Sequence, residues 1–290
     1  MARREDFPFL HSLRVRWQEV DAQQVVFNGH YLTYLDVAIS EYWRAVGLPY
    51  PDGLRQQGGD VYVRHHALSY HAPARLDERL DIGLRCDSIG TSSIKMAWAA
   101  WSDHRLLVTG EAVYVYTSLA TGRPQSVPDA IRELIHAQAN DMPVSELTLA
   151  DWASQREDAG AVRRQVFIEE QQVPPEEEWD ADDDAAVHAV VRNLAGLPMA
   201  TGRLITAGQP PGHARIGRLA VLRSARGCGL GRLVLRALMQ RAEDQGCHVL
   251  HLHAQTSARS FYEAEGFAAD GEVFDEVGIP HIAMSCLLER

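Results

Sequence analysis

Cysteine is scarce in this 290-residue sequence, and its four thiols are Cys86, Cys228, Cys247 and Cys286. They show no CxxC or Cys/His ligand spacing, so the pattern suggests neither a disulfide framework nor a zinc site. A long apolar run is also missing, because Glu5 and Asp6 interrupt the start and no later stretch approaches the length of a membrane span. We therefore expect a cytoplasmic protein with reduced thiols, no metal and no membrane partner.

Basic charge is also in short supply, since the net charge is −11 at neutral pH. The acidity lies mainly in residues 141–184, which carry 14 acidic and three basic side chains. Without a long basic face, we expect no nucleic-acid partner. Within that block, the run from Glu176 to Asp184 is interpreted as a solvated loop, with attraction of a cationic amine as the less favoured alternative.

The first half of the chain has a strand pattern, then a helix pattern, then four strand patterns. The first strand is predicted at residues 11–17, and apolar residues at helical spacing run from Tyr31 to Val46. The later strands are predicted at residues 59–71, 78–90, 92–103 and 105–118. A sheet and a helix with one apolar face each can bury one another, so we expect an antiparallel sheet curved round one long helix.

In the second half, strands and helices alternate. Polar residues and Pro143 within residues 136–147 predict a linker, which gives domains at residues 1–140 and 146–290. The predicted elements are a helix at 156–170, strands near 186–193 and 199–205, a strand, glycine-rich turn and helix within 214–246, a strand at 248–255 and a helix at 257–266. This alternation predicts an α/β domain.

The strongest motif of the second half is the turn Arg226-Gly227-Cys228-Gly229-Leu230-Gly231. Its glycines let the backbone approach a ligand, and the free N–H groups at the start of the following helix favour a pyrophosphate. Arg223, Arg226 and Arg232 add positive charge nearby. A plain tight turn is the alternative interpretation of such a segment by itself.

This turn resembles the Arg/Gln-x-x-Gly-x-Gly/Ala loop of the GNAT acetyltransferase superfamily, and SARSFYEAEGF resembles its later signature. VFIEEQQVPPEEEWDADDDAAVH and GIPHIAM are similar to a bacterial branch whose acceptors are poorly defined. The resemblance implies acetyl-CoA as a substrate, with Tyr262 protonating the departing thiolate. The implied binding positions, for pantetheine and then pyrophosphate, are Leu219, Ala220, Val221, Leu222, Arg226, Gly227, Cys228, Gly229, Leu230, Gly231 and Arg232.

An amine must lose a proton when it attacks the acetyl carbonyl, so the transfer needs a base, directly or through water. Glu170 and His281 lie in the motifs of that branch and are the first candidates, with His188 and His253 behind them. His251 and His253 are two residues apart on a predicted strand, so a structural role on one face of a sheet is an equal alternative.

In the first half, WQEVDAQQVVFNGHYLTYLDVA resembles the opening of the hotdog-fold 4-hydroxybenzoyl-CoA thioesterase family, and the likeness extends over residues 8–137. The catalytic carboxylate of that family falls on Asp21. The resemblance implies that Asp21 attacks a thioester carbonyl or activates a water. N–H groups near His30 and Tyr31 would then stabilise the oxyanion, with Asn28 assisting.

Two positions depart from this family pattern. Glu19 replaces its first aspartate and keeps the charge, and Gln24 stands where the family has a glycine beside the thioester. The alternatives for Gln24 are a narrower pocket, a replaced backbone contact, or a domain that binds acyl-CoA without hydrolysing it. Glu41 on the predicted helix is the rival carboxylate, and Asp21 is favoured over it.

Together these patterns predict an α+β hotdog domain followed by an α/β GNAT domain. The predicted enzyme hydrolyses an acyl-CoA and transfers an acetyl group from acetyl-CoA to an amine. The hotdog resemblance implies a homodimer or homotetramer, since the family's active sites form between subunits. Two alternatives stay open: the first half only binds acyl-CoA and drives assembly, or both domains sense CoA esters without turnover.

Overall fold

The computed structural model describes residues 2–288. The chain forms two compact units, Met1–Val144 and Ser145–Arg290, and each contains its own sheet. Among the described residues, no helix combines the length and the apolar composition that crossing a bilayer requires.

The N-terminal unit is built on a five-stranded antiparallel sheet. Its strands are β1 (Phe9–Arg14), β2 (Gly59–Tyr70), β3 (Arg79–Ile89), β4 (Ser93–Ser102) and β5 (Arg105–Ser118). Its helices are α1 (His30–Ala45), α2 (Asp52–Gln56) and α3 (Asp129–Ala139). The strand order β1-β3-β4-β5-β2 places β1 and β2 at the two edges.

The long helix α1 packs against β1 and β3. Its buried residues recur at helical spacing and are Tyr31, Tyr34, Leu35, Ala38, Ile39, Tyr42 and Trp43. Burying each large side chain of this stripe contributes roughly 1.5–3 kcal/mol to folding. The apolar stripe therefore fixes α1 on the sheet, with its first residue, His30, directly after the loop that carries Asp21.

The C-terminal unit is built on a seven-stranded sheet in the order β11-β12-β10-β9-β8-β7-β6. Its strands are β6 (Ser145–Ala150), β7 (Val187–Asn193), β8 (Pro198–Ile205), β9 (His213–Val221), β10 (Val249–Gln255), β11 (Ala268–Glu276) and β12 (Ile279–Leu287). Its helices are α4 (Trp152–Arg163), α5 (Pro175–Glu178), α6 (Asp182–Ala185), α7 (Leu230–Asp244) and α8 (Arg259–Glu263). A π-helical segment, Arg164–Glu170, continues α4.

The strands β9 and β10 are parallel, whereas the other neighbours in this sheet are antiparallel. The helix α7 forms the crossover that a parallel pair requires. The two strands pair only at the beginning, where Val249, Leu250 and His251 lie opposite His213, Ala214 and Arg215. Beyond these residues β9 and β10 diverge, which opens the centre of the sheet.

The structure differs from the sequence prediction in three local details. Residues 136–147, predicted as a linker, include the end of α3 and the start of β6. β6 is a six-residue edge strand that pairs with β7, too short for a clear alternation of apolar residues. The helix predicted at residues 156–170 is α4 followed by the π-helical segment, and the one predicted at 257–266 is α helical only over Arg259–Glu263.

Candidate functional site

A cavity of about 830 Å³ opens in the C-terminal unit where β9 and β10 diverge. Residues 215–221 of β9 line one side, and Leu252, His253 and Gln255 of β10 line the other. Because pairing between the strands stops after Arg215 and His251, the backbone of β9 beyond that point faces a gap instead of a strand. Such an exposed strand edge can hydrogen-bond an extended ligand that carries amide groups.

The glycine-rich turn forms one end of this cavity, at the start of α7. Gly227 (φ 86°) and Gly229 (φ 79°) have left-handed backbones, and nothing lies within 4 Å of the positions that their Cβ atoms would occupy. α7 begins at Leu230, so its first N–H groups have no acceptor within the helix. These N–H groups and the helix dipole make this end of the cavity a site for an anion.

Two arginines flank the anion site, and each is paired with a carboxylate. Arg226 makes a two-point ion pair with Glu170, in which both N–O distances are 2.7 Å. Arg232 donates to Glu265 at 2.6 Å, and Arg236 contacts the same carboxylate at 2.7 Å. The hydrogen bond from Arg236, helped by that from Arg232, holds the pKa of Glu265 below its usual value. Arg226 is therefore the arginine whose ion pair lies within the cavity lining.

Most of the predicted CoA-binding positions line this cavity. They are Leu219, Ala220, Val221, Arg226, Gly227, Gly229, Leu230, Gly231 and Arg232. Leu222 lies outside the lining, because its side chain is buried in the core and its N–H donates to the Met199 carbonyl at 2.9 Å. Cys228 also lies outside it, with an exposed side chain between the two left-handed glycines.

Tyr262 of α8 lines the cavity and is 8% exposed. The rings of Phe261 and Phe267 contact it edge-on, at centroid distances of 4.9 and 5.9 Å. Burial raises the pKa of Tyr262 to about 12. Because its hydroxyl keeps the proton at neutral pH, Tyr262 is suited to donate a proton rather than to accept one.

Two of the predicted base candidates, His281 of β12 and His253 of β10, also line the cavity. The Nδ1 atom of His281 lies 2.8 Å from the Ile279 carbonyl oxygen. The Nδ1 atom of His253 lies 3.1 Å from a carboxylate oxygen of Glu276. Since both partners are acceptors, each Nδ1 carries the hydrogen, which leaves a lone pair on each Nε2 of the neutral rings.

The remaining candidate, His188, lies outside the cavity lining. It is 1% exposed, and its Nε2 is 2.9 Å from the Asp183 carbonyl oxygen. Burial lowers the pKa of His188 below its usual value, and this effect outweighs the opposite effect of Asp183. His188 is therefore a neutral core residue and not a base for a ligand in this cavity.

The acidic run from Glu176 to Asp184 is not a solvated loop throughout, so that expectation was wrong. Glu178 and Asp183 are only 2% and 3% exposed. Arg163 donates to Glu178 at 2.5 Å and to Asp183 at 2.7 Å, and Arg203 donates to Asp183 at 2.6 Å. Both arginines come from distant parts of the sequence, which is why the acidic run by itself did not reveal its partners. Much of its charge is neutralised inside the fold.

In the N-terminal unit, Asp21 lies in a tight loop before α1. Val20 and Val26 form a β-bridge across this loop, and the Asp21 N–H donates to the Val25 carbonyl at 2.9 Å. The carboxylate is half-buried, and its Oδ1 atom accepts the Gln23 N–H at 2.8 Å. The loop therefore holds the Asp21 carboxylate in one orientation.

Glu19 anchors this loop to α1 from inside the unit. Its carboxylate is 2% exposed and accepts the Tyr34 hydroxyl at 2.7 Å and the N–H and Nε of Arg16 at 2.7 and 2.6 Å. Burial alone would raise the pKa of Glu19, but the bonds from Arg16 and Tyr34 outweigh it and hold the pKa below its usual value. The Glu19 carboxylate is therefore structural and ionised.

Gln24 occupies a left-handed conformation with φ 62°, and its N–H donates to the Asp21 carbonyl at 2.9 Å. Glycine adopts this conformation without steric cost, whereas glutamine is strained in it. The glycine of the family pattern is thus explained by backbone geometry. The Gln24 side chain is exposed.

The start of α1 keeps one of its two predicted oxyanion donors. The His30 N–H donates to the Phe27 carbonyl at 2.9 Å, so it is not free to bind an oxyanion as expected. The Tyr31 N–H is among the first N–H groups of the helix, which have no acceptor inside it. Asn28 has an exposed side chain, and its carbonyl accepts the Tyr70 hydroxyl at 3.2 Å.

The rival carboxylate Glu41 lies far along the same helix. It is paired with Arg44, and eleven residues separate it from His30, a distance of roughly 16 Å along the helix axis. The Asp21 carboxylate is therefore the one beside the helix start.

The sequence analysis did not identify Glu276, Arg203, Arg215 or Arg218 among the lining residues of the cavity. Arg203 and Arg218 are partly committed to Asp180, at 2.6 and 3.0 Å. A hairpin pattern around the GIPHIAM segment would have brought Glu276 close to His281, because only Val277 and Gly278 separate β11 from β12. Within residues 2–288, no group of three or more His, Cys, Asp or Glu side chains is arranged to hold a metal ion.

Comparison with known protein families gives two matches in different parts of the chain. The family described as "Acetyltransferase (GNAT) domain" matches residues 164–288. The family described as "Thioesterase superfamily" matches residues 23–109.

Relatives divide in the same way. The uncharacterized N-acetyltransferase YjcF of Bacillus subtilis (strain 168) is 37% identical over 131 residues, which are 45% of this chain and 91% of that protein. A putative esterase of Aquifex aeolicus (strain VF5) is 23% identical over 128 residues, 44% of this chain and 98% of that protein. The crystal structure of a thioesterase complexed with coenzyme A and Zn from Thermus thermophilus is 29% identical, covers 47% of this chain and 97% of its own, and has a TM-score of 0.41.

Proposed function

We infer that this chain, which belongs to the GNAT acetyltransferase family and also carries a thioesterase-superfamily domain at residues 23–109, uses CoA thioesters in both units. For the C-terminal unit we propose transfer of an acetyl group from acetyl-CoA to an amine. The observation that carries this proposal is the cavity between β9 and β10, which joins an anion site at the start of α7 to the protonated hydroxyl of Tyr262.

In this proposal the N–H groups around Gly229 and Leu230 bind the pyrophosphate, with Arg226 supplying positive charge. The pantetheine arm lies along Leu219 to Val221 on the open edge of β9. The amine attacks the acetyl carbonyl, and the sulfur that leaves as a thiolate takes the Tyr262 proton. A cavity side chain accepts the proton that the amine loses, with Glu170 and His281 as the residues first proposed for it.

For the N-terminal unit we propose hydrolysis of an acyl-CoA. The support is the oriented Asp21 carboxylate beside the start of α1, where the Tyr31 N–H and the helix dipole can stabilise an oxyanion. Aromatic rings of Phe27, Tyr31 and Tyr70 surround this point and can pack against an apolar acyl group. Asp21 would attack the thioester carbonyl or activate a water.

We also propose that the chain assembles as a homodimer or homotetramer through the N-terminal unit. The support is β2, a twelve-residue strand at the sheet edge. Its side chains Tyr62, Val63 and Tyr70 are at least half exposed. A long apolar edge strand of this kind favours pairing with another chain.

The alternative for the N-terminal unit is acyl-CoA binding and assembly without hydrolysis. The strained Gln24 and the occupied His30 N–H favour this alternative, since both weaken the likeness to an active thioesterase. A non-catalytic sensor in both units is less favoured, because Asp21 and Tyr262 are in place.

The test of the N-terminal proposal is thiol release from short, long and aromatic acyl-CoAs without amine. We expect Asp21→Asn to abolish release of the preferred acyl-CoA. Asp103→Asn, an exposed control at a left-handed turn position that asparagine tolerates, should keep it. Binding of acyl-CoA without thiol release in the native protein would support the assembly alternative instead.

The test of the C-terminal proposal is formation of acetylated product from acetyl-CoA and a panel of primary amines. We expect Tyr262→Phe to lower kcat by about 10²-fold, the lower part of the range for a positioned acid. Equal kcat in the two proteins would contradict the role of Tyr262, and failure of acetyl-CoA to bind would contradict the site itself.

A further inference from the structure

We propose that His253 is the proton acceptor of the acetyl-transfer step and that Glu276 positions it. This inference rests on the acetyltransferase function proposed above and names its base. Both residues line the cavity, yet they come from different strands, His253 from β10 and Glu276 from β11. The strand β12 lies between them in the sheet, so only the folded sheet brings the pair together.

The contact between the two residues determines which nitrogen of His253 is basic. Nδ1 lies 3.1 Å from Glu276 Oε2, and an ionised carboxylate can only accept a hydrogen bond. Nδ1 therefore carries the hydrogen, and Nε2 keeps its lone pair. When Nε2 takes a second proton, the negative charge of Glu276 stabilises the imidazolium that forms.

The ring of His253 is also held by packing. Phe274 contacts it edge-on at a centroid distance of 4.9 Å. The other neighbour of Phe274 is His281, stacked at 6.1 Å and opposite it in the register of β11 and β12. A base must keep its orientation while the substrate binds, and this aromatic layer limits rotation of His253.

Two rivals in the same cavity are less suited to the role. The Glu170 carboxylate is engaged at both oxygens by Arg226, so accepting a proton would cost a charge-assisted ion pair. The Nδ1 of His281 bonds to the neutral Ile279 carbonyl, which orients the ring but offers no negative charge to an imidazolium. His253 has both an orienting bond and a counter-charge.

The proposed step balances as follows. The amine nitrogen forms a bond to the acetyl carbon with its lone pair, and the carbonyl π electrons move to oxygen. His253 Nε2 takes the proton that the attacking nitrogen loses. The C=O bond re-forms as the C–S bond breaks, and the sulfur leaves with its electron pair and takes the proton of Tyr262. Water then removes the proton from His253 and returns one to Tyr262.

The kinetic test uses acetyl-CoA with a panel of primary amines, and with water alone as acceptor. We expect His253→Gln to lower kcat/KM by about 10²-fold or more, as for loss of a general base. Glu276→Gln should lower it about tenfold, with partial recovery in Glu276→Asp. The matched controls are His251→Gln, two residues earlier on β10, and Glu272→Gln, exposed on β11; both should remain near the native rate. Thermal unfolding and acetyl-CoA binding verify that each variant is folded.

A spectroscopic test reports on Glu276 without turnover. In ¹⁵N NMR of the neutral imidazole, we expect native His253 to be the Nδ1–H tautomer and Glu276→Gln to give a mixture of tautomers. An Nε2–H tautomer in the native protein, no change in Glu276→Gln, or transfer within threefold of native in folded His253→Gln would each overturn the proposal. If native protein binds acetyl-CoA but neither acetylates an amine nor releases thiol, the acetyltransferase function fails and this base fails with it. If only His253→Gln retains activity, the base is another residue and the acetyltransferase function stands.

Discussion

At the scale of single residues, Gln24 carries a backbone strain that a glycine would relieve. A left-handed conformation costs a residue with a side chain about 1–2 kcal/mol, and the greater flexibility of glycine in the unfolded chain offsets part of the gain. We therefore expect Gln24→Gly to raise the free energy of unfolding by up to about 1 kcal/mol. Chemical denaturation measures this, with Gln23→Gly as the control, since Gln23 has no positive φ and should lose stability. Equal losses in the two variants would show that residue 24 is not strained.

Glu170 is the residue at which pyrophosphate and carboxylate compete for Arg226. A partly exposed ion pair contributes up to about 1 kcal/mol, so removing the Glu170 charge should tighten acetyl-CoA binding by roughly two- to fivefold. The measurement is the Kd for acetyl-CoA in Glu170→Gln, with the neighbouring exposed residue in Glu169→Gln as the control for net charge. Weaker binding in Glu170→Gln alone would mean that Glu170 holds Arg226 in place for the anion.

At the scale of elements, the turn before α7 depends on its left-handed glycines. Gly229 (φ 79°) precedes α7 and Gly246 (φ 78°) follows it, and neither has an atom within 4 Å of its missing Cβ. Alanine at either position should cost about 1–2 kcal/mol of stability. Only Gly229→Ala should also weaken acetyl-CoA binding, by about tenfold, the equivalent of one charge-assisted hydrogen bond. Equal acetyl-CoA affinity in both variants would remove the turn from the binding site.

The elements themselves were largely predictable, because apolar periodicity reports local structure. The stripe from Tyr31 to Trp43 and the glycine-rich turn both correspond to elements in the structure. The pairings across the chain were not predictable in this way. Glu276 meets His253 only because β12 separates their strands, and Glu178 is buried because Arg163 lies in α4. The His30 N–H is lost to the Phe27 carbonyl, a detail of helix-start geometry that the sequence pattern does not contain.

At the scale of the whole molecule, the buried His188 makes the C-terminal unit sensitive to acid. Because burial lowers its pKa, the folded unit does not bind a proton at His188 until well below the ordinary value of about 6.5. The unfolded chain binds that proton near 6.5, so the free energy of unfolding falls as pH drops below this value, by up to about 1.4 kcal/mol per pH unit.

The variant His188→Gln tests this expectation, since its amide can still donate to the Asp183 carbonyl. Urea unfolding at pH 7.5 and 5.5 should show a smaller loss of stability on acidification in this variant than in the native protein. The control is His248→Gln, which changes an exposed histidine of the same unit and should keep the native loss. The same loss in all three proteins would contradict a neutral, buried His188.

The central claim is that one chain carries two separate sites for CoA thioesters. The most direct measurement is the binding stoichiometry of non-hydrolysable thioether analogues of short, long and aromatic acyl-CoAs, in native protein and in Arg226→Ala. We predict two sites per chain for at least one analogue, with one site lost or weakened at least tenfold in Arg226→Ala. A single site per chain for every analogue, lost entirely in Arg226→Ala, would contradict the claim and leave the N-terminal unit without a CoA-ester site.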